Sequence, residues 1–209
     1  DTQSKPCYDQ SALMRRYDLI KEICDYMIEM GWGPYQNDHE DANGQFEMNW
    51  DYDDCLKTAD RHTFFKYMVK TIAEKHGLRA TFMPKPFENL TGNGCHAHVS
   101  VWDGKKNKFL DRSDKFGLSK MAYNFLGGVI KNASSLSAFF NPTINSYRRI
   151  NAPPTKSGAS WSPSSCTMAT TRFATTSGSS FRSASKAAWR PSTSSSPSSC
   201  TMATTCWSN

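Results

Sequence analysis

The stretch HEDANGQFEMNW, residues 39–50, decides how the chain is read, because Asn43-Gly44 at its centre is the strongest short-range signal for a β-hairpin. With these two residues as the centre of a type I′ turn, Ala42 faces Gln45, Asp41 faces Phe46 and Glu40 faces Glu47. Directly opposed residues share a face, their Cβ atoms roughly 5 Å apart. Like charges so placed are unfavourable unless something compensates. A divalent cation compensates well, and carboxylate oxygens suit hard ions such as Mg²⁺ or Mn²⁺. The competing reading is a solvated hairpin with two surface glutamates.

Working outward, residues 11–30 set Leu13, Tyr17, Ile20, Cys24, Met27 and Met30 at steps of three and four, one stripe of an amphipathic helix closed by Gly31. A second helix is expected at about 54–76, with Leu56, Ala59, Phe64, Tyr67, Met68 and Ile72 inward and Gly77 as its stop. Residues 79–83 and 96–102 are strand candidates, bounded by Pro84 and Pro86 and by Asp103-Gly104. A third helix, about 118–131, leads through Asn141-Pro142 to a polar segment. Helix, hairpin, helix, strands, helix predicts an α+β fold of antiparallel strands with helices packed on one side.

Two further segments carry candidate chemistry. In GNGCHAHVS, residues 92–100, His96, His98 and Ser100 alternate and so point to one face of a strand, while the glycines before them let backbone approach a ligand. A zinc site competes, but two histidines at i and i+2 lack the usual spacing of further ligands, and a plain exposed strand also accounts for the pattern. NPTINSYRR, residues 141–149, ends in paired arginines, whose guanidinium forks suit two-point grip on a carboxylate; an exposed basic turn is the alternative.

Composition divides the chain. The 209 residues are 38% hydrophobic and 12% aromatic, ordinary for a globular domain with a core. Residues 157–209, however, contain no Asp, Glu, Leu, Ile or Val, and a Ser/Thr-rich tail of that kind is expected to stay disordered. Arg172, Arg182, Lys186 and Arg190 in that tail contribute four charges of the formal net +6, so the remainder has no strong nucleic-acid footprint. Seven cysteines without a C-x-x-C pair read as reduced thiols of a cytoplasmic protein. No apolar run is long enough to span a bilayer. The start at Asp1 without an initiator Met reads as a cut N-terminus.

Taken in order, HEDANGQFE (39–47), ATFMPKP (80–86), GNGCHAHVSVW (92–102) and NPTINSYRR (141–149) resemble the catalytic domain of glutamine synthetases. The resemblance implies a partial catalytic domain over residues 1–163, with 164–209 as a low-complexity tail. It implies that Glu40 and Glu47 bind one Mg²⁺ or Mn²⁺ ion and His96 a second, that His98, Val99 and Ser100 contact ATP, and that Thr91 and Gly92 hold glutamate. Arg149 is implied as the catalytic group on glutamate or its phosphorylated form. The expected reaction is ATP-dependent joining of ammonia or a small amine to the γ-carboxylate of glutamate through a γ-glutamyl phosphate, in a homo-oligomeric parent with no nucleic-acid or membrane partner. The residue types suit it, since a carboxylate is a poor electrophile until phosphorylated, and metal and arginine neutralise the charge on the transferred group.

The sequence also departs from the family. Arg149 is followed by Ile150-Asn151-Ala152-Pro153 in place of a Gly-x-Glu-Ala-Pro segment, which resembles the type III or GlnT-like branch and γ-glutamylmethylamide synthetase, a methylamine ligase. The family's E-x-E strand, which supplies ligands to both metals, has no counterpart here, so this chain by itself is expected to be inactive; a non-catalytic ATP- or metal-binding relative is the alternative. Met168-Ala169-Thr170-Thr171 can be written, one base out of frame, as the Tyr-Gly-Asn-Asn that the family has next, and residues 162–171 recur identically at 196–205. A frameshift and a duplication are the expected origin of the tail.

Overall fold

The computed structural model describes residues 6–150 and a strand at 198–208. Residues 11–30 form two helices rather than one, α1 (Gln10–Met14) and α2 (Tyr17–Glu29). Asp9 caps α1 by accepting from the Ala12 amide at 3.0 Å, and the chain resets at Arg16, whose φ of −119° is not helical. The reset turns α2 so that Leu19, Ile20, Ile23 and Met27 are buried while Tyr17 and Met30 are exposed. Gly31, at φ 70°, then closes it as expected.

The hairpin follows as β1 (Pro34–His39) and β2 (Gln45–Trp50), antiparallel, and β3 (Asp53–Asp54) leads into α3 (Cys55–Lys75). Asp54 caps α3 by accepting from Leu56 N at 3.0 Å, and Gly77 ends it at φ 70°. The buried face of α3 is Phe65, Met68, Val69, Ile72 and Ala73, whereas Leu56, Phe64 and Tyr67, expected inward, are exposed. Adjacent apolar pairs such as Phe64-Phe65 leave periodicity unable to choose between neighbouring faces. Packing chooses: Phe65 meets Trp50 at 5.0 Å between ring centroids.

β4 (Ala80–Thr81) is shorter than expected, and β5 (Cys95–Asp103) with β6 (Lys106–Asn107) makes the second hairpin. α4 (Lys120–Lys131) is capped by Ser119, and it is followed by α5 (Ala133–Phe140) and α6 (Ile144–Ile150). α6 occupies what the sequence offered as a polar segment after a turn; the Thr143 hydroxyl accepts from Ser146 N at 3.3 Å and starts it.

All strand pairings are antiparallel, and the sheet order is β1-β2-β7-β5-β6, with β3 and β4 also pairing β7 (Ser198–Ser208). β7 corrects part of one expectation: residues 198–208 of the tail expected to be disordered run as a central strand. Thr, Cys and Trp are strand-forming residues, and without a partner β2 and β5 would each present an open edge. Residues 151–197, which hold the rest of the tail and the out-of-frame Met168–Thr171, lie outside the described residues. The fold is α+β. One sheet face packs Phe46, Met48 and Trp50 against α2 and α3, making a single core with Trp32, Ile23, Met27, Phe65 and Val69. That leaves the other face of β1, β2 and β5 for chemistry.

Candidate functional site

The hairpin register differs from the expected one by two residues. Asp38 pairs with Glu47 and His39 with Phe46, while Glu40 N donates to Gln45 O at 2.8 Å. Gln45 N donates back to Ala42 O at 3.0 Å, so Asp41 to Gly44 form the loop. Gly44 takes a φ of 71°, but Asn43 is not in the positive-φ region that a type I′ turn requires at both central residues. The side-chain period of two rescues the consequence, because a slip of two residues keeps Glu40 and Glu47 on one face, now as diagonal neighbours.

The two acids meet. Burial, the neighbouring Glu47 charge and a hydrogen bond between the two carboxyl groups push Glu40 up to about 7. Asp38, beside them, is raised by burial and by Glu47, against a lowering hydrogen bond from Gln36. Glu47 Oε1 also accepts from Asn49 Nδ2 at 3.1 Å. Asn49 pairs with Ala203, which pairs in turn with His96, so one cross-strand row joins β2 to β5. Paired residues share a face; Glu40, Glu47, His96, His98 and Ser100 therefore lie on the sheet face opposite the hydrophobic core. Two strand spacings of about 4.8 Å separate the Glu47 strand from the His96 strand. Among the described residues no three His, Cys, Asp or Glu side chains gather as one metal-ligand cluster. Two carboxyl groups hydrogen-bonded to each other nevertheless form a donor set that a hard divalent cation fits, with His96 standing apart across the sheet.

Val99 differs from its neighbours, since strand alternation puts it on the face opposite His98 and Ser100. Ser100 Oγ accepts from Trp102 Nε1 at 2.9 Å along the same strand.

The segment before β5 wraps around the hairpin tip. Thr91 Oγ1 reaches Asp41 Oδ2 at 3.5 Å, and Asn93 holds the turn at Pro84 through its backbone N (2.8 Å to Pro84 O) and its side chain (2.8 Å to Met83 O). Lys85 and Asn145 exchange hydrogen bonds, 2.6 Å from Lys85 N and 2.9 Å to Lys85 O, and so dock α6 on this loop. Arg149 is buried at 6% exposure instead of lying on a basic turn, and burial lowers its pKa. A Cβ placed on Gly92 would stand 3.0 Å from Arg149 Cγ, and one on Gly94 would stand 2.8 Å from its Nη2 and 3.7 Å from His96 Nε2. The glycines thus admit the guanidinium beside His96. Thr91, Gly92, His96 and Arg149 form one group; Glu40 and Glu47 form another, adjoining it through Asp41.

Several residues at the site escaped the sequence reading. Cys7 hydrogen-bonds Asp41, and burial, then Glu40 and Asp41, push its thiol up to about 12. Tyr8, at φ 61° the single described non-glycine residue with positive φ, donates its N–H to His39 O at 2.8 Å, and burial with Glu40 raises its hydroxyl. The left-handed turn before α1 brings both residues to the acids, and nothing in local composition marks it. Gln45 enters the sequence pattern only as the residue facing Ala42, and Asn93 only within a glycine-rich segment.

The model for "Glutamine synthetase, catalytic domain" matches residues 1–180. This chain belongs to the glutamine synthetase family. It is 70% identical over 169 residues to a glutamine synthetase of Rhizobium leguminosarum bv. phaseoli, covering 80% of this chain and 39% of that protein. It is 47% identical over 165 residues to a glutamate–methylamine ligase of Methyloversatilis universalis, covering 78% of this chain and 37% of that protein. The solved structure described as "GmaS/ADP complex-Conformation 1" superposes with a TM-score of 0.70 at 68% identity, covering 76% of this chain and 37% of that one. The chain thus spans about two fifths of the length of these relatives.

Proposed function

We propose that this chain carries the hairpin, histidine strand and arginine helix of an ATP-dependent ligase site that joins ammonia or a small amine to the γ-carboxylate of glutamate. The observation that carries the reading is the contact between Glu40 and Glu47, a half-buried pair of acids that a Mg²⁺ or Mn²⁺ ion relieves. His96 takes a second ion. The ions supply charge neutralisation for phosphoryl transfer from ATP. His98 and Ser100, two and four residues further along the strand, contact the nucleotide; a backbone contact is what remains for Val99, whose side chain faces the core side.

The Thr91-Gly92 backbone holds glutamate. Arg149, fixed between Gly92 and His96, offers its fork to the γ-carboxylate and to the negative charge that builds on it during phosphorylation. The amine then attacks the acyl phosphate and phosphate leaves. Burial favours Arg149 for this work, because a charge in a drier setting interacts more strongly with the group it faces.

Methylamine is a second reading of the amine, favoured by the likeness to the Methyloversatilis ligase and by Ile150-Asn151-Ala152-Pro153 after Arg149. This chain on its own is expected to bind metal without turning over, since no E-x-E strand occurs in it. Four described cysteines are free thiols, and no described helix is long and apolar enough to cross a membrane; a cytoplasmic setting and a homo-oligomeric full-length enzyme complete the proposal.

The deciding experiment is phosphate release from ATP by a full-length protein containing this sequence, with glutamate plus ammonia or methylamine at equal concentration. Release that requires glutamate and one amine supports the ligase. Release indifferent to glutamate overturns it.

A further inference from the structure

Gln45 is buried at 1% exposure, and its amide serves two elements at once. Its Oε1 accepts from Ala42 N at 3.2 Å inside the hairpin loop. Its Nε2 donates across the site to Gly92 O at 3.1 Å and to Asn93 Oδ1 at 3.1 Å. A glutamine has one acceptor oxygen and two N–H donors, and here the oxygen works for the hairpin and the amino group for the loop.

Gln45 also sits between the acids in the register. It pairs with Glu40 through the backbone and precedes Glu47 by one pleat on the same face. On the far side, Gly92 is the residue whose missing Cβ lets Arg149 in, and Asn93 ties the loop to Pro84. One side chain therefore links the acid-bearing hairpin to the loop backbone that packs against Arg149.

We propose that Gln45 is a positioning residue: it holds the Thr91–Gly94 loop in register with the Glu40–Glu47 pair, so that glutamate on that loop meets the ion held by the acids. This rests on the ligase reading of the site. A merely structural glutamine would fill the same space, and the two roles separate in Gln45→Met, close in length but without donors, and in Gln45→Glu, which keeps an acceptor for Ala42 N and loses the amino group. The purified chain is followed by hydrogen exchange, by Mn²⁺ titration and by glutamate titration with Mn²⁺ present.

Both variants are expected to lose about tenfold or more protection at the amides of Gly92 to Gly94 while α3 keeps its own. Mn²⁺ affinity stays within about threefold of wild type in Gln45→Met, and glutamate affinity falls about tenfold in both. Unchanged loop protection overturns the proposal. So does a loss spread equally through α3, or glutamate affinity that falls only in step with Mn²⁺ affinity. Should the unsubstituted chain bind neither Mn²⁺ nor glutamate, the metal and glutamate site read for this chain alone fails, and loop exchange decides Gln45. Should Gln45→Met not fold, Gln45→Glu still tests the Gly92–Gly94 protection against that of α3.

Discussion

Glu40 and Glu47 lie diagonally across the β1–β2 hairpin with their carboxyl groups hydrogen-bonded, and Glu40 is pushed up to about 7 by burial and by that neighbour. The contact is unfavourable in the isolated chain above that pH. It is retained on the face that also carries His96, beside an Arg149 that Gly92 and Gly94 make room for. Sites that must bind a cation commonly hold carboxylates together at such a cost.

The first prediction concerns stability against pH. The Glu40 carboxyl has an ordinary value of 4.5 and a folded one of about 7, so the folded state binds the proton more tightly. Its favourable contribution is full below about 4.5 and is lost as pH rises through about 7. Asp38, also raised, acts in the same direction. Urea unfolding without divalent metal should therefore show stability falling between pH 5 and pH 8. Glu40→Gln removes most of that slope and is more stable than wild type at pH 8 by about 1–3 kcal/mol. A variant less stable at pH 8 would contradict the geometry.

Metal affinity should run the other way. An ion displaces the Glu40 proton, so Mn²⁺ binding, followed by loss of its electron-spin signal on titration, strengthens as pH rises from 5 through about 7 and levels off beyond it. Glu47→Gln weakens this binding by about tenfold or more, in line with the loss of one of two charged ligands. His96→Ala, two strands across the sheet, leaves the stronger site within about threefold.

Gly92→Ala and Gly94→Ala separate the loop from the guanidinium. On Gly92 the new methyl stands 2.4 Å from Pro84 O, a backbone atom, so the loop itself must move. On Gly94 it stands 2.8 Å from Arg149 Nη2, the far end of a long side chain that can swing. Thermal unfolding should show Gly92→Ala destabilised by about 1–3 kcal/mol and Gly94→Ala nearly unchanged. In a full-length enzyme both should lower turnover, Gly94→Ala through Arg149 alone. Equal destabilisation by both would contradict this assignment.

The hairpin was legible because its signal is local: Asn43-Gly44 between alternating residues names a turn, and a period of two makes the shared face of Glu40 and Glu47 insensitive to the slip that occurred. The same alternation placed His96, His98 and Ser100 together. Less could be read where long-range packing decides. Phe64 and Phe65 are equally apolar, and long-range contacts with Trp50 and Phe82 select Phe65. Arg149 looked like surface charge because the glycines that admit it lie more than fifty residues earlier in the chain. Cys7 and Tyr8 reach the acids through a left-handed Tyr8, a conformation that side-chain type does not announce. β7 was missed because composition argued against a core, whereas a strand inside a sheet requires chiefly backbone partners.

Trp50 tests the core on which all of this sits. It is 0% exposed, packed on Phe65 and, at 6.1 Å, on Trp32, and it ends the strand that carries Glu47. Its indole N–H is buried without a hydrogen-bond partner among the described residues. Trp50→Ala opens a cavity under β2 and should cost about 3–5 kcal/mol in denaturant unfolding. Trp50→Phe removes the unpaired donor while keeping most of the ring contact, so it should cost only about 1 kcal/mol. Because β2 aligns Glu47 with Glu40, Trp50→Ala should also weaken Mn²⁺ binding at temperatures where the protein is still folded, and Trp50→Phe should not. A Trp50→Phe change as damaging as Trp50→Ala would mean that the N–H has an acceptor and that the core at this strand is built differently.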